Sequence, residues 1–376
     1  MLIGIDASRA FIKNRTGIEE YSYQVIKNLM NRIGKEHQVV LYIRQNQSVD
    51  FNLFGNLPAG KQDWKVKAIK WPRLWTQIGL SLEMLFNKVD VLFIPAHTVP
   101  IIHPKNTVVT IHGLEYEFCP KAYSFWERLY MRISIKNSCR WAKKIIAVSE
   151  NTKRDLIKLY NIPEEKIRVI YEGYEKKLQS PISNFQSSLN EKIFKPYLLF
   201  VGRIEERKNI AGILDAYRIL VEKYNIPHAL VLAGAPGFGY GFIKLKIQNY
   251  LKIKNLKLKI TELDYVSENQ KWQLLSHADI FLFPSLYEGF GLPILEAQSI
   301  GVPVIASNNS SIPEVVGKSA ILIDPKNPNE IAEAVQKILS DENLKKDLIA
   351  KGLENVKRFS WEKCVQQIAE VILRRV

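Results

Sequence analysis

A chain of 376 residues that is 47% hydrophobic and 24% charged fits a folded, water-soluble protein, and its length favours two domains over one core. Three cysteines, Cys119, Cys139 and Cys364, show no paired spacing, which argues against a zinc site and for a reducing compartment. The opening MLIGIDASRA carries no signal pattern, and no apolar run approaches the ~20 residues needed to cross a bilayer. Together these features predict a cytoplasmic protein.

The formal net charge of +15 is concentrated in the first half of the chain. Residues 1–190 hold 28 basic and 17 acidic residues, whereas the remaining residues hold 25 and 21. This excess predicts an anionic surface or substrate that meets the first half. A lysine-rich, solvated surface without a partner explains the same excess, and both interpretations stay open.

Short apolar runs alternate with amphipathic helical patterns along the chain. The runs of the first half are LIGID, QVVLYI, KVKAI, DVLFIP, NTVVTIH, KKIIAVS and IRVIY, and those of the second half are YLLFVG, HALVLAG, ADIFLFPS, VPVIAS and AILIDP. Continuous apolar runs are typical of strands buried on both faces of a parallel sheet. Helical patterns between them include GIEEYSYQVIKNLMNRI, ENTKRDLIKLY, NIAGILDAYRILVEKY and NEIAEAVQKILS. This alternation predicts an α/β protein with two doubly wound, Rossmann-like domains.

The predicted domain boundary is a polar, Ser- and Asn-rich stretch with two prolines, residues 176–196. We predict a first domain over residues 1–178, a linker over 179–191 and a second domain over 192–358. Ligands of open α/β sheets bind outside the carboxyl ends of the strands. Two such domains are therefore expected to face each other across a ligand-binding cleft.

The stretch FVGRIEERKNI, residues 200–210, places two cations after a predicted strand. Arg203 follows Gly202 at the end of the strand, and Lys208 is expected to open the next helix. Cations at a helix N-terminus oppose the helix dipole, so the arrangement is unfavourable unless an anion lies between them. A diphosphate would reverse the sign, with the arginine as a fork and the lysine as a point charge. The alternative is a pair of solvated surface cations.

A glycine-rich loop, YEGFGLP, precedes another predicted helix. Gly289 and Gly291 allow the backbone to approach a ligand closely. The N–H groups of Phe290, Gly291 and Leu292 would begin the helix, where an anion or sugar hydroxyls are favoured. The loop is therefore a candidate ligand contact.

Two carboxylates flank this helix start. Glu288 lies in the loop and Glu296 lies one turn further into the helix, where it suits a vicinal diol such as ribose. A diphosphate flanked by two polyols is a nucleotide-sugar. The alternative, a glutamate that only stabilises its own helix, explains Glu296 well, but it does not explain Glu288 beside two glycines.

Further candidates follow strands of the first half. Thr16-Gly17 in RTGIEEY precedes a helix and is a candidate anion contact. His112, at the end of NTVVTIH and followed by Gly113, could hydrogen-bond a ligand hydroxyl or carbonyl, although a histidine at a strand end is more often structural. His97 has a similar position and a weaker claim. The histidine spacing matches no metal site.

Two aromatic-rich helical patterns with basic flanks, residues 73–86 and 123–144, also occur in the first half. Such helices can lie on an anionic membrane face, which predicts a peripheral position at the inner face of the cell membrane. Apolar residues at helical spacing are more often part of a core, and this alternative stays open.

Four stretches, in order, resemble the retaining nucleotide-sugar glycosyltransferases of family 4, which have the GT-B fold: VSENTKRDL, GRIEERKNI, PSLYEGFGLPILEAQSIGVPVIASNNSSIPEVVG and LIDPKNPNEIAEAV. The resemblance covers nearly the whole chain and is most specific at the E-x7-E pair, Glu288 and Glu296. It implies an acceptor-binding first domain and a donor-binding second domain. It also implies that the last helix, residues 359–376, crosses back onto the first domain.

The resemblance implies a donor site without a metal or cofactor. Arg203 and Lys208, after Gly202, would hold the diphosphate and replace a metal. Glu288 would contact the transferred sugar and Glu296 the ribose. The backbone at Phe290–Leu292 would contact phosphate or sugar.

Two residues of the first domain would complete this site by resemblance. Gly17 would approach the diphosphate, and His112 would touch the donor sugar near the reacting carbon. The sequence departs from the family pattern at both places. Thr16-Gly17 stands where two adjacent glycines are frequent, and Gly113 stands where an aspartate often follows the histidine. The role of that aspartate is lost or moved, with Glu115 as a candidate.

The resemblance therefore implies transfer of mannose or a related hexose from a nucleotide diphosphate sugar to a glycan or lipid-linked acceptor. GDP-mannose is favoured over a UDP-sugar, since EGFGLP and TGIEEY look most like bacterial polysaccharide mannosyltransferases. The alternatives are a nucleotide-sugar epimerase of the same fold and a non-catalytic nucleotide-sugar-binding protein. A dinucleotide oxidoreductase would need G-x-G-x-x-G after the first strand, which is missing. Despite the charge, no nucleic-acid-binding motif is evident.

Overall fold

A computed structural model describes residues 1–13, 15–34, 36–49, 64–174, 193–253 and 256–374. The chain divides into two compact units. Unit 1 comprises Met1–Leu114, Phe125–Gly173 and Phe359–Val376, and unit 2 comprises Glu115–Ser124 and Tyr174–Arg358. The predicted linker, residues 179–191, lies outside the described residues.

Within the described ranges, unit 1 contains a seven-stranded sheet in the order β3-β2-β1-β4-β5-β6-β7, and all its neighbouring strands are parallel. The order reverses beside β1, as in a doubly wound fold. The strands are β1 (Leu2–Asp6), β2 (Gln38–Arg44), β3 (Trp64–Ile69), β4 (Val91–Ile94), β5 (Thr107–Ile111), β6 (Lys144–Ala147) and β7 (Ile167–Val169).

Unit 2 repeats this arrangement with six strands among its described residues, in the order β10-β9-β8-β11-β12-β13 and again all parallel. The strands are β8 (Tyr197–Val201), β9 (Ala229–Ala233), β10 (Ile260–Leu263), β11 (Ile280–Phe283), β12 (Val304–Ser307) and β13 (Ile321–Ile323). The predicted α/β class with two Rossmann-like domains is therefore confirmed.

The helices follow the strands in alternation. They are α1 (Gly17–Leu29), α2 (Ser81–Phe86), α3 (Glu115–Phe118), α4 (Phe125–Trp141), α5 (Glu150–Tyr160), α6 (Ile210–Tyr224), α7 (Tyr240–Leu251), α8 (Glu268–Ser276), α9 (Leu292–Ser299), α10 (Ile312–Val316), α11 (Pro328–Ser340), α12 (Glu342–Asn355) and α13 (Trp361–Leu373). None of these helices is both long and apolar enough to cross a membrane.

Continuous apolar strands form the centre of each unit because both faces of the sheet are covered. In β8, Leu198 and Phe200 pack into the apolar cluster on one face, whereas Tyr197 and Leu199 pack into the cluster on the other. All four side chains are fully buried. The carboxyl ends of these strands are thereby held at one edge of the sheet.

The last helix, α13, packs on α1 in unit 1, as the predicted return of the chain to the first domain requires. The ring of Trp361 lies 5.9 Å from that of Tyr21. Arg32 donates to Glu362 at 2.7 Å, and Arg168 donates to Glu370 at 2.9 Å. The C-terminal helix is therefore a structural part of unit 1.

Candidate active site

Glycines set the geometry where β8 and β9 end in unit 2. Gly202 and Gly234 have φ of +154° and +149°, a region that favours glycine. A Cβ on Gly234 would lie 1.9 Å from the carbonyl oxygen of Gly202, so the two loops touch at the backbone. The loop after Gly202 carries the predicted diphosphate-binding cations.

Lys208 lies largely buried in this loop. It ends a 3-10 turn, Glu206–Lys208, and α6 begins only after Asn209, whose left-handed φ of +58° separates turn from helix. The expectation that Lys208 opens the helix is therefore wrong, because Lys208 lies in the 3-10 turn that precedes the helix. Its side chain is 12% exposed, and its Nζ lies 2.5 Å from Glu288 Oε1. The solvated-surface interpretation is thus wrong for Lys208.

Glu288 is the centre of a buried ion cluster. It pairs with Lys208 and accepts from Arg207 Nη1 at 3.3 Å, while its own backbone N–H donates to Ser310 Oγ at 3.0 Å. Burial alone would raise the pKa of Glu288, but the charges of Lys208 and Arg207 outweigh it and hold that pKa below its usual value. Glu288 is therefore a carboxylate at neutral pH.

Arg207 is a site residue that sequence reasoning missed. Its buried guanidinium donates to the carbonyl of Tyr287 at 3.0 Å and to Glu205 at 2.9 Å, in addition to Glu288. Burial would lower the pKa of Arg207, yet the charges of Glu288, Glu115 and Glu205 raise it. The available signal was the adjacent pair Arg207-Lys208, of which only the lysine was singled out.

Arg203 lies outside this cluster. Its side chain is 58% exposed, and its Nε lies 3.9 Å from Glu205 Oε2. The structure therefore brings Lys208 and Glu288 into contact but leaves Arg203 at the solvent side of Glu205. Its assignment to the diphosphate stays a prediction.

The glycine loop before α9 is held by a second loop, which follows β12. Gly291 has φ +118° and precedes the first helical residue, Leu292. Ser311 Oγ donates to the carbonyls of Glu288 and Phe290 at 2.9 and 3.0 Å. Because N–H and C=O point in opposite directions across a trans peptide, the N–H groups of Gly289 and Gly291 point away from Ser311. Ser311 therefore leaves both N–H groups available for the predicted ligand contact.

Residues Glu115–Ser124 belong to unit 2 and pack beside the same cluster. The ring of Phe118 stacks on Tyr287 at 4.7 Å with an interplanar angle of 11°. Burial raises the pKa of the neighbouring Cys119 thiol to about 11. A segment from the first half of the sequence therefore completes the surroundings of the unit 2 site.

Glu296 has a partner that the sequence did not suggest. Lys271 on α8 donates to Glu296 Oε1 at 2.6 Å and lies 3.0 Å from the more exposed Glu268. Burial would lower the pKa of Lys271, but the charges of Glu296 and Glu268 raise it. The predicted ribose contact is therefore oriented by a lysine 25 residues earlier in the chain.

Lys271→Met is expected to destabilise the fold by about 1–3 kcal/mol, because it leaves the half-buried Glu296 carboxylate without its charged donor. Thermal unfolding of Lys271→Met, Glu296→Gln and the double variant measures this coupling. The two single losses should not add, since both remove the same ion pair. Glu268→Gln is the matched control and should cost less than about 0.5 kcal/mol, as its carboxylate is exposed. Additive losses would contradict the pairing.

In unit 1, His112 is engaged within its own unit. Its Nδ1 lies 3.1 Å from Glu172 Oε1 and its Nε2 lies 2.8 Å from the carbonyl of Pro95, while the ring of Tyr21 packs edge-on at 4.5 Å. Gly113 has φ +146°, which explains why a glycine rather than an aspartate follows the histidine. The predicted contact of His112 with the donor sugar remains a prediction.

His97 and Gly17 lie in the same unit. The ring of His97 lies 5.3 Å from that of His112, and the backbone of His97 has a φ of +51°. Both ring nitrogens of His97 are buried, and neither has a hydrogen-bond partner in the described part of the chain. Burial strongly lowers the pKa of His97.

Gly17 begins α1 after Thr16, whose N–H donates to Glu19 at 3.2 Å. A Cβ on Gly17 would meet nothing within 4 Å. Space for the predicted close approach at Gly17 is therefore present.

All three cysteines are free thiols. In the ranges that the structure describes, no group of three or more His, Cys, Asp or Glu side chains is placed to hold a metal ion.

Comparison with known proteins follows the same division of the chain. The model for Glycosyl transferases group 1 matches residues 182–355, and the model for Glycosyltransferase Family 4 matches residues 15–177. O-antigen chain mannosyltransferase B of Escherichia coli is 32% identical over 266 residues, covering 70% of this chain and 69% of that protein. The chain belongs to the group 1 glycosyltransferases.

Other relatives of this glycosyltransferase agree. O-antigen chain mannosyltransferase RfbU of Salmonella typhimurium is 27% identical over 304 residues, covering 81% of this chain and 79% of that protein. The structure of sucrose-phosphate synthase from Thermosynechococcus elongatus superimposes with a TM-score of 0.75 at 20% identity, covering 98% of both chains. The glycosyltransferase therefore has the GT-B fold, as the sequence resemblance implied.

Proposed function

We propose that this glycosyltransferase moves mannose or a related hexose from a nucleotide diphosphate sugar to a glycan or lipid-linked acceptor in polysaccharide or glycoconjugate biosynthesis. The observation that carries the proposal is the buried contact between Lys208 and Glu288. These residues follow the neighbouring strands β8 and β11, so they meet at the carboxyl edge of the unit 2 sheet. Two relatives named for O-antigen mannosyl transfer support a mannosyl donor, and GDP-mannose is preferred to a UDP-sugar.

In this proposal the Lys208–Glu288 pair is exchanged when the donor binds. The diphosphate takes the Lys208 ammonium, and the released Glu288 carboxylate accepts hydrogen bonds from hydroxyls of the transferred sugar. Arg207 continues to orient Glu288 through its bond at 3.3 Å. The site thereby offers a cation to the diphosphate and a carboxylate to the sugar hydroxyls.

The transfer step is proposed to retain the anomeric configuration. The bond between the anomeric carbon and the diphosphate oxygen breaks, and its electron pair leaves with the nucleoside diphosphate. The acceptor hydroxyl oxygen bonds to the same face of the carbon within a short-lived ion pair, and its proton passes to the departing phosphate oxygen. Lys208 and the N–H groups at the start of α9 stabilise the charge that grows on the leaving group.

Activity is expected to be unchanged when a metal chelator is present, because the fixed cations of unit 2 supply the charge that a metal would otherwise provide. The measurement is release of nucleoside diphosphate with and without chelator. Loss of activity that Mg²⁺ restores would contradict metal independence while leaving the transfer reaction itself intact.

The acceptor is proposed to bind unit 1. A cavity of about 490 Å³ opens beside the carboxyl ends of β1 and β2. Its lining includes three basic side chains, Arg9, Lys13 and Arg44. A phosphate of a lipid-linked acceptor fits this charge, and such an acceptor would place the enzyme at the inner face of the cell membrane.

A panel of nucleotide-sugars tests the function through released nucleoside diphosphate, with and without a lipid-linked acceptor. The proposal requires release that depends on the acceptor. Conversion of the donor without any acceptor would indicate an epimerase. A thermal shift with donor but no turnover under any condition would indicate a non-catalytic binding protein.

A further inference from the structure

Helix α4 of unit 1 exposes five of its large apolar side chains. We call Phe125, Trp126, Leu129, Tyr130 and Ile133 the aromatic face. Phe125 is 70% exposed, Trp126 75% and Ile133 53%. A helix that packs only against its own protein shows the opposite arrangement, with apolar residues inward.

Hydrogen bonds on the buried side fix this orientation of α4. Ser134 and Ser138 lie on the buried side. Ser138 Oγ accepts from the backbone N–H of Val99 at 2.8 Å and donates to the carbonyl of Ser134 at 2.7 Å. Rotating the helix to bury the aromatic face would break the bond from Val99, whereas the Ser138–Ser134 bond lies within the helix. The outward position of the aromatic face is therefore built into the packing of unit 1.

The apolar surface continues beyond the aromatic face. At the end of α4, Trp141 stacks on His103 with ring centroids 5.9 Å apart. Next to His103, Ile101 is exposed, and the N–H of Ile102 donates to Ser81 of α2, whose last residue Phe86 is also exposed. Exposed apolar side chains concentrated on neighbouring elements mark an interaction site rather than scattered surface residues.

The charge of α4 selects the partner. The helix carries four basic residues and one acidic residue, Glu127. Aromatic and basic side chains together are typical of helices that lie in the interface of an anionic bilayer. The basic residues are Arg128, Arg132, Lys136 and Arg140. A second copy of the chain that met this face symmetrically would bring these cations against the same cations of the first copy.

We propose that the aromatic face of α4 inserts into the interface of a membrane that contains anionic lipid, with the helix lying parallel to the membrane plane. Its 17 residues span about 26 Å, so the whole helix can rest on the surface. The proposal deepens the proposed function by naming the surface that brings a lipid-linked acceptor to the enzyme. Membrane binding itself requires no turnover and is measured separately.

The test uses the full chain and sedimentation with vesicles of phosphatidylcholine, with or without phosphatidylglycerol. We expect binding to vesicles that contain phosphatidylglycerol, weakening as salt is added. Phe125→Ser with Trp126→Ser should reduce the partition coefficient at least about tenfold. Leu353→Ser on α12, which removes another exposed apolar side chain, is the matched control and should bind as the unaltered protein does.

Three outcomes would overturn the proposal. The first is no binding to anionic vesicles, and the second is equal binding by the double serine variant. The third is a dimer in light scattering without vesicles that the same variant dissociates, since a second copy would then cover the face. Lys208→Ala should bind vesicles normally, so a failure of the transfer reaction and a failure of membrane binding are distinguishable.

Discussion

Lys208→Ala is expected to reduce the rate of sugar transfer by about 10²–10³-fold, the loss typical of removing one fixed charge from a developing anion. Lys208 is largely buried and, in the proposed mechanism, pairs with the diphosphate as soon as the donor binds, so its charge is already in place when the diphosphate leaves. The effect should fall mainly on kcat, because the charge of the leaving group grows in the transition state. Steady-state kinetics with saturating donor measure it.

The control for this variant is Lys246→Ala. Lys246 also forms a largely buried ion pair in unit 2, at 2.6 Å from Asp215, but it lies on α7 away from the candidate site. Lys246→Ala should change the rate less than about twofold while removing a comparable, largely buried ion pair. Thermal unfolding of both variants separates loss of chemistry from loss of fold. A wild-type rate for Lys208→Ala would contradict the assignment of Lys208 to the donor diphosphate.

Glu288→Gln is expected to lower the transfer rate by about 10²-fold or more, because the amide keeps the shape but leaves two buried cations without their carboxylate. The variant should also move the alkaline limit of activity. Burial lowers the pKa of Lys208, the Arg207 charge lowers it further, and Glu288 opposes both. Removing Glu288 therefore lowers the pKa of Lys208 again. Activity that needs protonated Lys208 should be lost at a lower pH than in the unaltered enzyme.

The pH–rate profile of kcat/KM for the donor measures this shift.

Glu288 also makes the stability of the fold depend on pH. The folded-state pKa of Glu288 lies below its usual 4.5, so its charge stabilises the fold above that pH. This contribution disappears as the pH falls through the lowered pKa. Glu288→Gln should accordingly lose stability at neutral pH and lose this acid dependence. Glu222→Gln, which removes an exposed carboxylate on α6, should change neither profile. An unshifted alkaline limit in Glu288→Gln would refute the coupling to Lys208.

The strands were largely predictable because a strand that is buried on both faces of its sheet appears in the sequence as a continuous apolar run. Each of the twelve apolar runs named from the sequence coincides with one observed strand to within one residue or contains it. Among the strands that the structure describes, the exception is β10, Ile260–Leu263, for which no apolar run was named. It lies at the edge of the sheet, and its sequence ITEL includes an exposed glutamate, so it lacks the pattern of a doubly buried strand.

The candidate site was predictable only for residues whose role is indicated by their neighbours in the sequence. Glu288 stood out beside two glycines and Lys208 as a cation expected at a helix start, and the structure joins them across 80 residues. Arg207 was not singled out although it adjoins Lys208, because the sequence alone does not show that the 3-10 turn places both side chains beside Glu288. Lys271 and Ser311 escaped notice for a related reason, since each acts on a loop or helix that is distant in the chain.

The chain changes unit four times, after Leu114, Ser124, Gly173 and Arg358. No single cut can therefore release either unit whole. A fragment that stops near residue 174 would carry Phe118 without Tyr287 and would lack the Trp361 ring beside Tyr21. Chimeras that borrow donor specificity from a relative must accordingly transplant residues 115–124 together with 174–358, and keep residues 359–376 with the recipient's own first half.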